Sequence, residues 1–493
     1  MIYKIEKYNK DSRGVILLNV LVFSALAISL VTFFITWASS SVKIVESTLH
    51  KEQAFQIAEA GVDYYRWHLA HAPSDFKDGT TNNGPYTHIF YDKDGVAIGS
   101  FILTITPPII GSTIVTIKSE GHVNNYPSIK RTIQTKLAIP SFAKYAIVAN
   151  DNMRFGEGTE IFGPVHSNGG IRFDGIAHNI VTSALSSYDD PDHSGGSEFG
   201  VHTHVNVGGG INDSFRSQEA PPTSPVPTRS DVFLAGRQFP VPQSDFTGIT
   251  NDLSVIKTNA TSGGKYLAPS GALGYHIVLK TNDTYDLYKV NNLATPSDSD
   301  CASTSNYGDD TWGTWSIASG GQTLVGNYNN PANGLIFVED NVWVDGQINT
   351  ARITIAAGKF PDNVGTRKSI FINNDLMYTN YNGQDVIGLI AQDDVTVGMI
   401  SDDNLRIDAA LMAVNGRVGR HYYSDQCSPY HLRNSITLYG MIGSNQRYGF
   451  AYTDNTGYDT RTIIYDANLL YGPPVSFPLT SDKYSTISWD EME

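Results

Sequence analysis

The residues of this chain best suited to chemistry are two histidines in the segment VHTHVNVGGG. His202 and His204 are separated by one residue, so on a strand both side chains would point to one face and could share a metal ion. His193, Asp192 and Glu198 are close in sequence but complete no compact ligand motif. Because metal-binding sets usually show such a motif, we interpret these as polar loop residues and predict no metal and no cofactor.

A second segment, GPVHSNGG, places His166, Ser167 and Asn168 in a glycine-rich turn. A serine beside a histidine in sequence is not a catalytic pair, because that geometry is assembled in space with a third orienting group. The chain has no GxSxG motif, and GGKY at 263–266 lacks the leading glycine and the Ser or Thr of a phosphate-binding loop. These patterns predict neither a serine hydrolase nor a nucleotide site.

Carboxylates are the remaining candidates, because enzymes that cleave polysaccharides need two paired carboxylates or a base assisted by calcium. Six aspartates stand in predicted turns: Asp340, Asp345, Asp393, Asp394, Asp402 and Asp403. Aspartate also satisfies backbone groups at strand corners, so we interpret all six as turn formers and predict no catalytic residue. In YDKDGVAIG, Asp92, Asp94 and Gly95 match part of a calcium loop without its distal acidic ligand, which favours a hairpin turn. The chain is therefore not expected to be an enzyme.

The composition indicates a folded, β-rich protein. Of 493 residues, 41% are hydrophobic and 17% are charged, and abundant Gly, Tyr, Asn, Thr and Ser favour strands and tight turns. The net charge of -15 argues against a nucleic-acid partner, which needs clustered Lys and Arg. Cys301 and Cys427 would either pair in an exported body or remain two buried thiols, and the sequence leaves both open.

The apolar run RGVILLNVLVFSALAISLVTFFITW is the element that would position such a body. Val15 to Trp37 is about 23 residues without a charge, long enough as a helix to cross a hydrocarbon core of about 30 Å. A secretory signal has a shorter apolar region, which favours a retained helix, although residues 38–40 could form a cleavage site. Basic residues precede the run, so we expect a cytoplasmic N-terminus and a body outside the membrane.

The helix is predicted to continue beyond the membrane. Phe55, Ala58, Val62, Tyr65 and Leu69 follow one another at steps of three and four, which places them on one helical face. The first half of this helix is apolar on all sides and the second half is amphipathic. This pattern is typical of a helix that leaves the membrane and packs on its own globular domain. A simple signal-anchor stalk is the alternative.

These features resemble the N-terminal region of type IV pilins, especially the large PilX-type minor pilins and related pseudopilins. The resemblance rests on a short basic leader that ends at Gly14, an apolar helix from Val15, and the segment AFQIAEAGVDYYRW at 54–67. GPVHSNG at 163–169 and the closing stretch from 463 are similar to the bodies of PilX-like proteins. The resemblance implies that a prepilin peptidase cuts between Gly14 and Val15 and methylates the new N-terminus.

One position departs from that family. Pilins usually have a glutamate at the fifth mature position, and its buried carboxylate is tolerated if it pairs with the N-terminal ammonium of a neighbouring subunit. This chain has Asn19 there, which can hydrogen-bond but cannot neutralise that charge. The assembly helix is expected to use Asn19, Phe55, Ala58, Val62 and Tyr65. Asn19 argues against insertion along the filament shaft, and the tip, the initiating complex and a role outside a filament stay open.

The fold prediction is a mainly β protein with one long N-terminal transmembrane helix, a small pilin-like α/β head and a β-rich extracellular body. Beyond residue 140, short apolar strands recur at irregular intervals of about 20 to 35 residues, as in a β-solenoid with loop insertions or an open sandwich. The predicted parts are a leader at 1–14, a transmembrane and amphipathic helix at 15–72, a pilin-like sheet at 73–140, a first repeat region at 141–216, a linker and inserted module at 217–333, and a second repeat region with a C-terminal cap at 334–493.

The predicted function is that of a minor pilin or pseudopilin, a structural component of a type IV pilus or a related secretion filament. Its expected partners are other pilin-like subunits, an inner-membrane assembly platform, the prepilin peptidase and a surface or glycan ligand, with no nucleic acid. We expect a single-pass membrane protein whose large body serves adhesion or filament initiation. The alternative is a signal-anchored surface β-solenoid that acts as an adhesin or a polysaccharide-degrading enzyme.

Overall fold

Two compact units make up the chain, which the computed structural model describes at residues 12–247, 249–296, 301, 313–480 and 483–492. The first unit comprises Met1–Thr106, Thr116–Lys136 and Thr486–Glu493, and the second comprises Pro107–Val115 and Leu137–Ser485. The fold is mainly β with one long N-terminal helix, as predicted. Most of the predicted leader at 1–14 lies outside the described residues.

The helices and strands are numbered in chain order. The α-helices are α1 (Ser12–His71) and α2 (Ile249–Gly263). The strands up to residue 202 are β1 (Tyr86–Tyr91), β2 (Ala97–Thr106), β3 (Val115–Val123), β4 (Tyr126–Ala138), β5 (Ile147–Ala149), β6 (Met153–Phe155), β7 (Thr159–Phe162), β8 (Val165–Ser167), β9 (Ile171–Phe173), β10 (Ile176–Ala177), β11 (Val181–Ser183), β12 (Ser187–Tyr188), β13 (Glu198–Phe199) and β14 (Val201–His202). The later strands are β15 (Arg237–Gln238), β16 (Lys265–Leu267), β17 (Gly274–Leu279), β18 (Thr284–Val290), β19 (Gln322–Asn329), β20 (Leu335–Val338), β21 (Val342–Gln347), β22 (Arg352–Ala357), β23 (Ile370–Phe371), β24 (Leu376–Met377), β25 (Val386–Ala391), β26 (Val395–Val397), β27 (Asn404–Ala413), β28 (Val418–Arg420), β29 (Leu432–Ser444), β30 (Gly457–Tyr465) and β31 (Ser485–Met492).

The first unit is a sheet of five strands in the order β1-β2-β3-β4-β31, with the second half of α1 packed on it. Strands β1, β2 and β3 pair antiparallel, and Asp92 Oδ1 accepts the backbone N–H groups of Asp94 and Val96 in the β1–β2 hairpin. The turn predicted in YDKDGVAIG is thus confirmed. The C-terminal strand β31 belongs to this sheet, so the boundary predicted at 334–493 is wrong at its end, where only the part before β31 belongs to the body.

Close approach of α1 to the sheet explains the single glycine in the helix after the apolar run. A Cβ on Gly61 would lie 2.3 Å from Ser119 Oγ and 2.8 Å from a ring carbon of Phe101. On the facing strand, a Cβ on Gly121 would lie 2.2 Å from the carbonyl oxygen of Ala54. The two glycines therefore let helix and strand backbones pack closer than any side chain would allow.

The second unit is a β-solenoid built from three ladders of parallel strands. One ladder runs β16-β20-β22-β25-β27-β29-β5-β8-β11-β15. A second includes β17-β21-β23-β26-β28, and a third runs β21-β24-β27-β29-β30-β7-β10. Inward side chains such as Ile147, Ile161, Ile355, Leu389 and Ile407 are fully buried between the ladders and form the core. Of the two predicted architectures, solenoid and sandwich, the structure has the solenoid.

The stacking order of the solenoid differs from the chain order. Ile147 in β5 pairs with Ile442 in β29, and Thr159 in β7 pairs with Arg461 in β30. The chain therefore enters the stack at its middle, builds coils toward one end up to β15, and resumes at the other end with β16. Coils formed from 265 onward then return to the middle. This order accounts for the irregular repeat spacing in the sequence.

The region 217–333 is not a separate inserted module. The helix predicted near 252–256 is confirmed as α2, whose buried residues Leu253, Ile256 and Ala260 pack in one cluster with the solenoid residues Leu335 and Phe337. The predicted hairpin is confirmed as β17 and β18, which pair antiparallel and are extended by β19. Since β15 pairs with β11, whereas β16 and β17 pair with β20 and β21, this region contributes strands to both ends of the solenoid.

Candidate functional site: an exposed apolar helix and a buried histidine cluster

The first half of α1 presents an apolar surface that no described residue of the chain covers. Leu17, Phe23 and Ile35 are 64%, 71% and 62% exposed, and Asn19 is exposed among them. Of the described helices, α1 is long and apolar enough to cross a membrane. Gly14 and Val15, the predicted processing residues, lie near the start of this helix.

Three hydroxyl side chains of this apolar stretch are satisfied within the helix. The hydroxyls of Ser29, Thr32 and Thr36 donate to the carbonyl oxygens of residues four positions earlier, at 2.9, 2.8 and 2.8 Å. In hydrocarbon an unpaired hydroxyl is costly, and this back-bonding leaves none of these donors open. The surface is thus suited to lipid or to another apolar helix.

The second half of α1 buries the face predicted from its spacing. Ala58, Val62, Tyr65 and Leu69 are at most 3% exposed, and Phe55 is half-buried, which confirms the predicted face. The Tyr65 hydroxyl donates to the carbonyl oxygen of Asp75 at 3.0 Å. These residues therefore fasten the helix to its own sheet.

Cys301 and Cys427, whose state the sequence left open, form a disulfide. The two cysteines are 126 residues apart and pack in a buried cluster with Met399 and Tyr423. The bond closes a large part of the second unit into a loop, which suits an oxidising compartment.

A buried cluster of histidines and carboxylates lies beside the loop that follows β11. Residues Asp190, His193, Glu198, His202 and His204 each place one nitrogen or oxygen within 4.8 Å of the others. His193 Nε2, His202 Nε2 and His204 Nε2 lie 2.9, 2.8 and 3.0 Å from Glu198 Oε2. Asp190 Oδ2 lies 3.5 Å from His202 Nε2 and 3.8 Å from His193 Nε2.

Short strands and glycine turns bring these side chains together. Strand β13 pairs with β12, so that Glu198 lies opposite Tyr188, and β14 pairs with β9, so that His202 lies beside Arg172. The glycines at 208–210 have φ of 104°, 102° and 77°, a left-handed region that glycine adopts readily. The turn they form returns the chain so that Asn212 lies opposite His204.

Backbone groups hold the ligand side chains in place. Glu198 Oε1 accepts the N–H of Arg216 at 2.8 Å, and Asp190 Oδ1 accepts the N–H of Asp192 at 3.0 Å. His204 Nδ1 lies 2.8 Å from the carbonyl oxygen of Asn212, to which it must donate a proton. Each of these side chains thus turns its other polar atom into the cluster.

Electrostatics favour the ionised carboxylates. Burial raises the pKa of Glu198, but its close contacts with the histidines, His202 first and then His204, outweigh burial and hold its pKa well below the usual range. Burial likewise raises the pKa of Asp190, and its contacts with His202, the Asp192 N–H and Arg172 lower it to about 2. Two negative charges are therefore concentrated in a site from which water is excluded.

The other residues singled out by sequence have structural contacts. His166 Nδ1 lies 3.0 Å from Thr182 Oγ1 and its Nε2 lies 3.1 Å from Asn168 Oδ1, whereas the Ser167 hydroxyl donates to the carbonyl oxygen of Asp151. Ser167 and His166 are thus not a nucleophile–base pair. Burial lowers the pKa of His166, which keeps its ring neutral.

Four of the six turn aspartates accept backbone N–H groups, as turn formers do. Asp340, Asp394, Asp402 and Asp403 each accept a backbone N–H, from Ser270, Arg417, Asp375 and Asn434 respectively. Asp345 Oδ2 lies 3.0 Å from His276 Nε2 and accepts the side-chain amide of Asn374. At Asp393, burial and the charge of Asp394 raise the pKa to about 6.

The second unit also has a groove of about 550 Å³ that is lined by both acidic residues and arginines. Arg447 donates to Asp192 Oδ2 at 2.5 Å, and Arg154 lies 3.4 Å from the same oxygen. Asp213 forms an ion pair with Arg172, whose guanidinium lowers the pKa of Asp213. An acid held in this way is poorly suited to the general-acid step of glycoside hydrolysis.

The sequence indicated four of the five cluster residues, His193, Glu198, His202 and His204, but not that they form a cluster. Sequence reasoning treated His202 and His204 as loop residues and did not consider Asp190, which the fold brings to them. The stretch DDPDHSGGSEFGVHTH has three histidines and four aspartates or glutamates in 16 residues, and this density was the available signal.

Comparison with known proteins shows a structural similarity to a pilin. No protein-family model matches this chain, and no curated protein matches it. Among solved structures, the chain is similar to the competence-associated pilin ComZ from Thermus thermophilus, with 14% identity and a TM-score of 0.29, over 90% of this chain and 98% of that one. A score this low assigns neither fold nor function, so the residues of this chain carry the proposals below.

Proposed function

We propose that this chain is a pilin-like membrane protein that displays a β-solenoid outside the cell. The observation that carries the proposal is the division of α1 into two halves with opposite surroundings. Its first half is apolar, exposed and internally hydrogen-bonded, and its second half is buried on a small antiparallel sheet. A plain stalk would need no such packing, because an anchor that only tethers has no reason to bury one helical face.

Processing at Gly14 would turn this anchor into an assembly element. Cleavage between Gly14 and Val15 removes the basic leader and leaves a helix that begins with an apolar residue. Such a helix can leave the bilayer side by side with other pilin-like helices, since lipid and apolar side chains are nearly equivalent surroundings. The inner-membrane assembly platform and the prepilin peptidase are the partners this step requires.

Asn19 favours a position in the assembly where this residue does not have to neutralise the N-terminal ammonium of a neighbouring subunit. A subunit in the shaft would leave that ammonium facing an uncharged amide, whereas a subunit at the filament tip or in the initiating complex need not accept one. We therefore place the chain among minor pilins or pseudopilins of PilX type. The large body then serves adhesion or initiation, and the disulfide between Cys301 and Cys427 suits its export.

A non-enzymatic role is part of the proposal. Asp340, Asp394, Asp402 and Asp403 are engaged with backbone N–H groups, and Asp213 in the groove is paired with Arg172. These contacts support a display function over the alternative of an anchored polysaccharide-degrading enzyme.

The mature N-terminus tests the proposal. The full chain, expressed in its own cell, is to be analysed by mass spectrometry with and without the prepilin peptidase. We expect a chain that begins at Val15 and carries an N-methyl group, and we expect this form to vanish without the peptidase or in Gly14→Val. Ser12→Val, two residues upstream, is the matched control and should be processed normally. A chain that begins at Met1 or near Ser41 would refute the pilin reading.

A further inference from the structure

We propose that Asp190, His193, Glu198, His202 and His204 bind one divalent transition-metal ion, with zinc the favoured ion. This inference concerns the solenoid alone and stands whether or not the N-terminal helix assembles. It is carried by the convergence of five donor atoms, by unpartnered polar atoms that point into the cluster, and by the backbone groups that orient the ligands.

Hydrogen bonds alone do not account for the convergence. Three ring nitrogens lie 2.8 to 3.0 Å from one oxygen, Glu198 Oε2, which has lone pairs for two good donors. His202 Nε2 and Asp190 Oδ2 are buried and point into the cluster, where they lie close to other ligand atoms, but neither makes a contact with hydrogen-bond geometry to any described residue. Ligands bound to one zinc ion at about 2.1 Å lie roughly 3.0 to 3.4 Å apart. The contacts in this cluster bracket that range, at 2.8 to 3.0 Å from Glu198 Oε2 and 3.5 and 3.8 Å from Asp190 Oδ2, and all five donor atoms lie within 4.8 Å of one another.

The surroundings of the donors match those of a metal site. Ligating histidines commonly donate their other ring N–H to a carbonyl or carboxylate, and His204 Nδ1 donates to the carbonyl oxygen of Asn212. Glu198 and Asp190 each give one oxygen to a backbone N–H and keep the other for the cluster. A backbone-held ligand loses little entropy when the ion binds, so the site is preorganised.

The donor set selects the ion. Three imidazole nitrogens with carboxylate oxygens suit zinc and neighbouring transition metals, whereas calcium and magnesium prefer oxygen ligands alone. The side chains of the five residues are at most 4% exposed, so no open position faces solvent. A closed site of this kind is structural, because catalysis needs a position for water or substrate.

The role of the ion follows from the segment that it would fasten. Residues 184–231 contain only two-residue strands and one short 3-10 turn, and they have few ladder hydrogen bonds to hold them. The ligands come from 190–204, and Arg216 and Asn212 tie the following residues to the same site. One ion would therefore crosslink this irregular segment, as a disulfide would in a small exported domain.

Metal content of the full-length chain is the first test. The protein is to be purified in detergent with an affinity tag that contains no histidine, and without chelators. We expect about one zinc ion per chain by elemental analysis, and zinc-free protein should rebind Zn²⁺ or Co²⁺ with a Kd below about 100 nM. The Co²⁺ form should show the visible absorption of a four- or five-coordinate site. Metal-free protein that takes up neither ion at about 10 μM would overturn the proposal.

Paired variants locate the ion. Glu198→Gln and His202→Gln keep side-chain size and should each weaken Zn²⁺ binding by at least about 100-fold. The matched controls are Glu160→Gln and His178→Gln, another carboxylate–histidine contact of the solenoid, at 2.6 Å, which should bind the ion as the unmodified chain does. Equal binding in all four variants would refute the site. If a cluster variant fails to fold, the titration and Co²⁺ spectrum of the unmodified chain still decide.

Hydrogen exchange tests the structural role. Removal of the ion should speed amide exchange by at least about 10-fold in peptides from residues 187–216 and leave β25 unchanged. Uniform exchange with and without the ion would contradict the crosslinking role, even if the ion binds.

Discussion

Gly61→Ala tests whether the amphipathic half of α1 is fixed to its sheet by close backbone approach. Alanine normally stabilises a helix interior by about 1 kcal/mol relative to glycine. Here the added Cβ would lie 2.3 Å from Ser119 Oγ and within 2.8 and 3.0 Å of two Phe101 ring carbons. Forced overpacking costs about 1 to 3 kcal/mol, and contacts this short place the cost toward the upper end. We expect a net loss of about 1 to 2 kcal/mol, opposite in sign to the helix propensity.

The assay is amide hydrogen exchange of β2 and β3, followed by mass spectrometry of the full chain in detergent. A loss of 1 to 2 kcal/mol should speed exchange there by about 5- to 30-fold. Glu59→Ala, an exposed neighbour on the same helix, is the control and should change the free energy by less than about 0.5 kcal/mol.

A second substitution identifies the cause. The Ser119 hydroxyl is buried and has no hydrogen-bond partner among the described residues, so Ser119→Ala alone should cost little. In the double variant with Gly61→Ala it removes the shortest contact and should restore about half of the loss, which a double-mutant cycle would show as coupling. Unchanged or slower exchange in Gly61→Ala, or a cycle without coupling, would refute the close-packing argument.

Three further predictions concern other parts of the chain. Replacement of both Cys301 and Cys427 by alanine should lower the stability of the second unit by about 2 to 5 kcal/mol, measured by denaturant unfolding, while a reductant should have no further effect on the variant. Burial and the charge of Asp394 raise the pKa of Asp393 to about 6, so folding favours its protonated form: that stabilisation is complete below about pH 3.8 and is lost as the pH rises through about 6. Asp393→Asn should thus stabilise the second unit by about 2 kcal/mol at pH 7 and hardly at pH 3.5, as judged by thermal unfolding; equal effects at both pH values would contradict the assignment. Under the proposed function, Asn19→Glu should increase the amount of chain in sheared filaments, and an unchanged amount would mean that Asn19 does not decide its place.

Local periodicity was the most reliable guide to this fold. The three- and four-residue steps from Phe55 to Leu69 predicted a helical face, and that face is buried, because a long regular helix must present such positions to one side. The hairpins near 95 and 282 were equally predictable, since Asp and Gly determine the first turn locally and Asn and Asp the second. Predictions that depended on a few adjacent residues thus agreed with the structure.

Contacts between distant residues could not be read in the same way. The partner of β5 is β29, almost 300 residues later, and no spacing near Ile147 indicates that pairing. The assignment of 217–333 as an insertion failed for this reason, because its strands looked unpartnered until β20 and β21 were placed beside them. The C-terminal strand was misassigned likewise, since the sequence of β31 does not specify that it joins the sheet of β4.

The histidine cluster could not be predicted from a spacing motif in the sequence. A compact spacing motif describes ligands on one regular element, but these ligands come from a loop, a two-residue strand and the end of another. The residues that orient them, Arg216 and Asn212, act through backbone atoms. Because nearly all residue types have these same backbone groups, the residue types at 212 and 216 do not reveal this role. Only the local density of histidines and acids was visible, and density alone does not separate a metal site from a polar loop.

The permuted stacking order has a consequence for how the body is made. Coils from 147 to 183 can bury their exposed edge only when β29 and β30 are present, because Ile147 and Thr159 pair with residues of those two strands. The N-terminal coils are therefore synthesised long before the strands that complete them, and in the meantime they present open parallel edges that can pair with other chains. A crosslink between residues of these N-terminal coils would shorten the time for which their edges stay unpaired. A metal ion bound by residues 190–204 needs none of the later strands for its ligands, so it could order the first coils before the C-terminal ones exist, whereas the disulfide at Cys427 cannot.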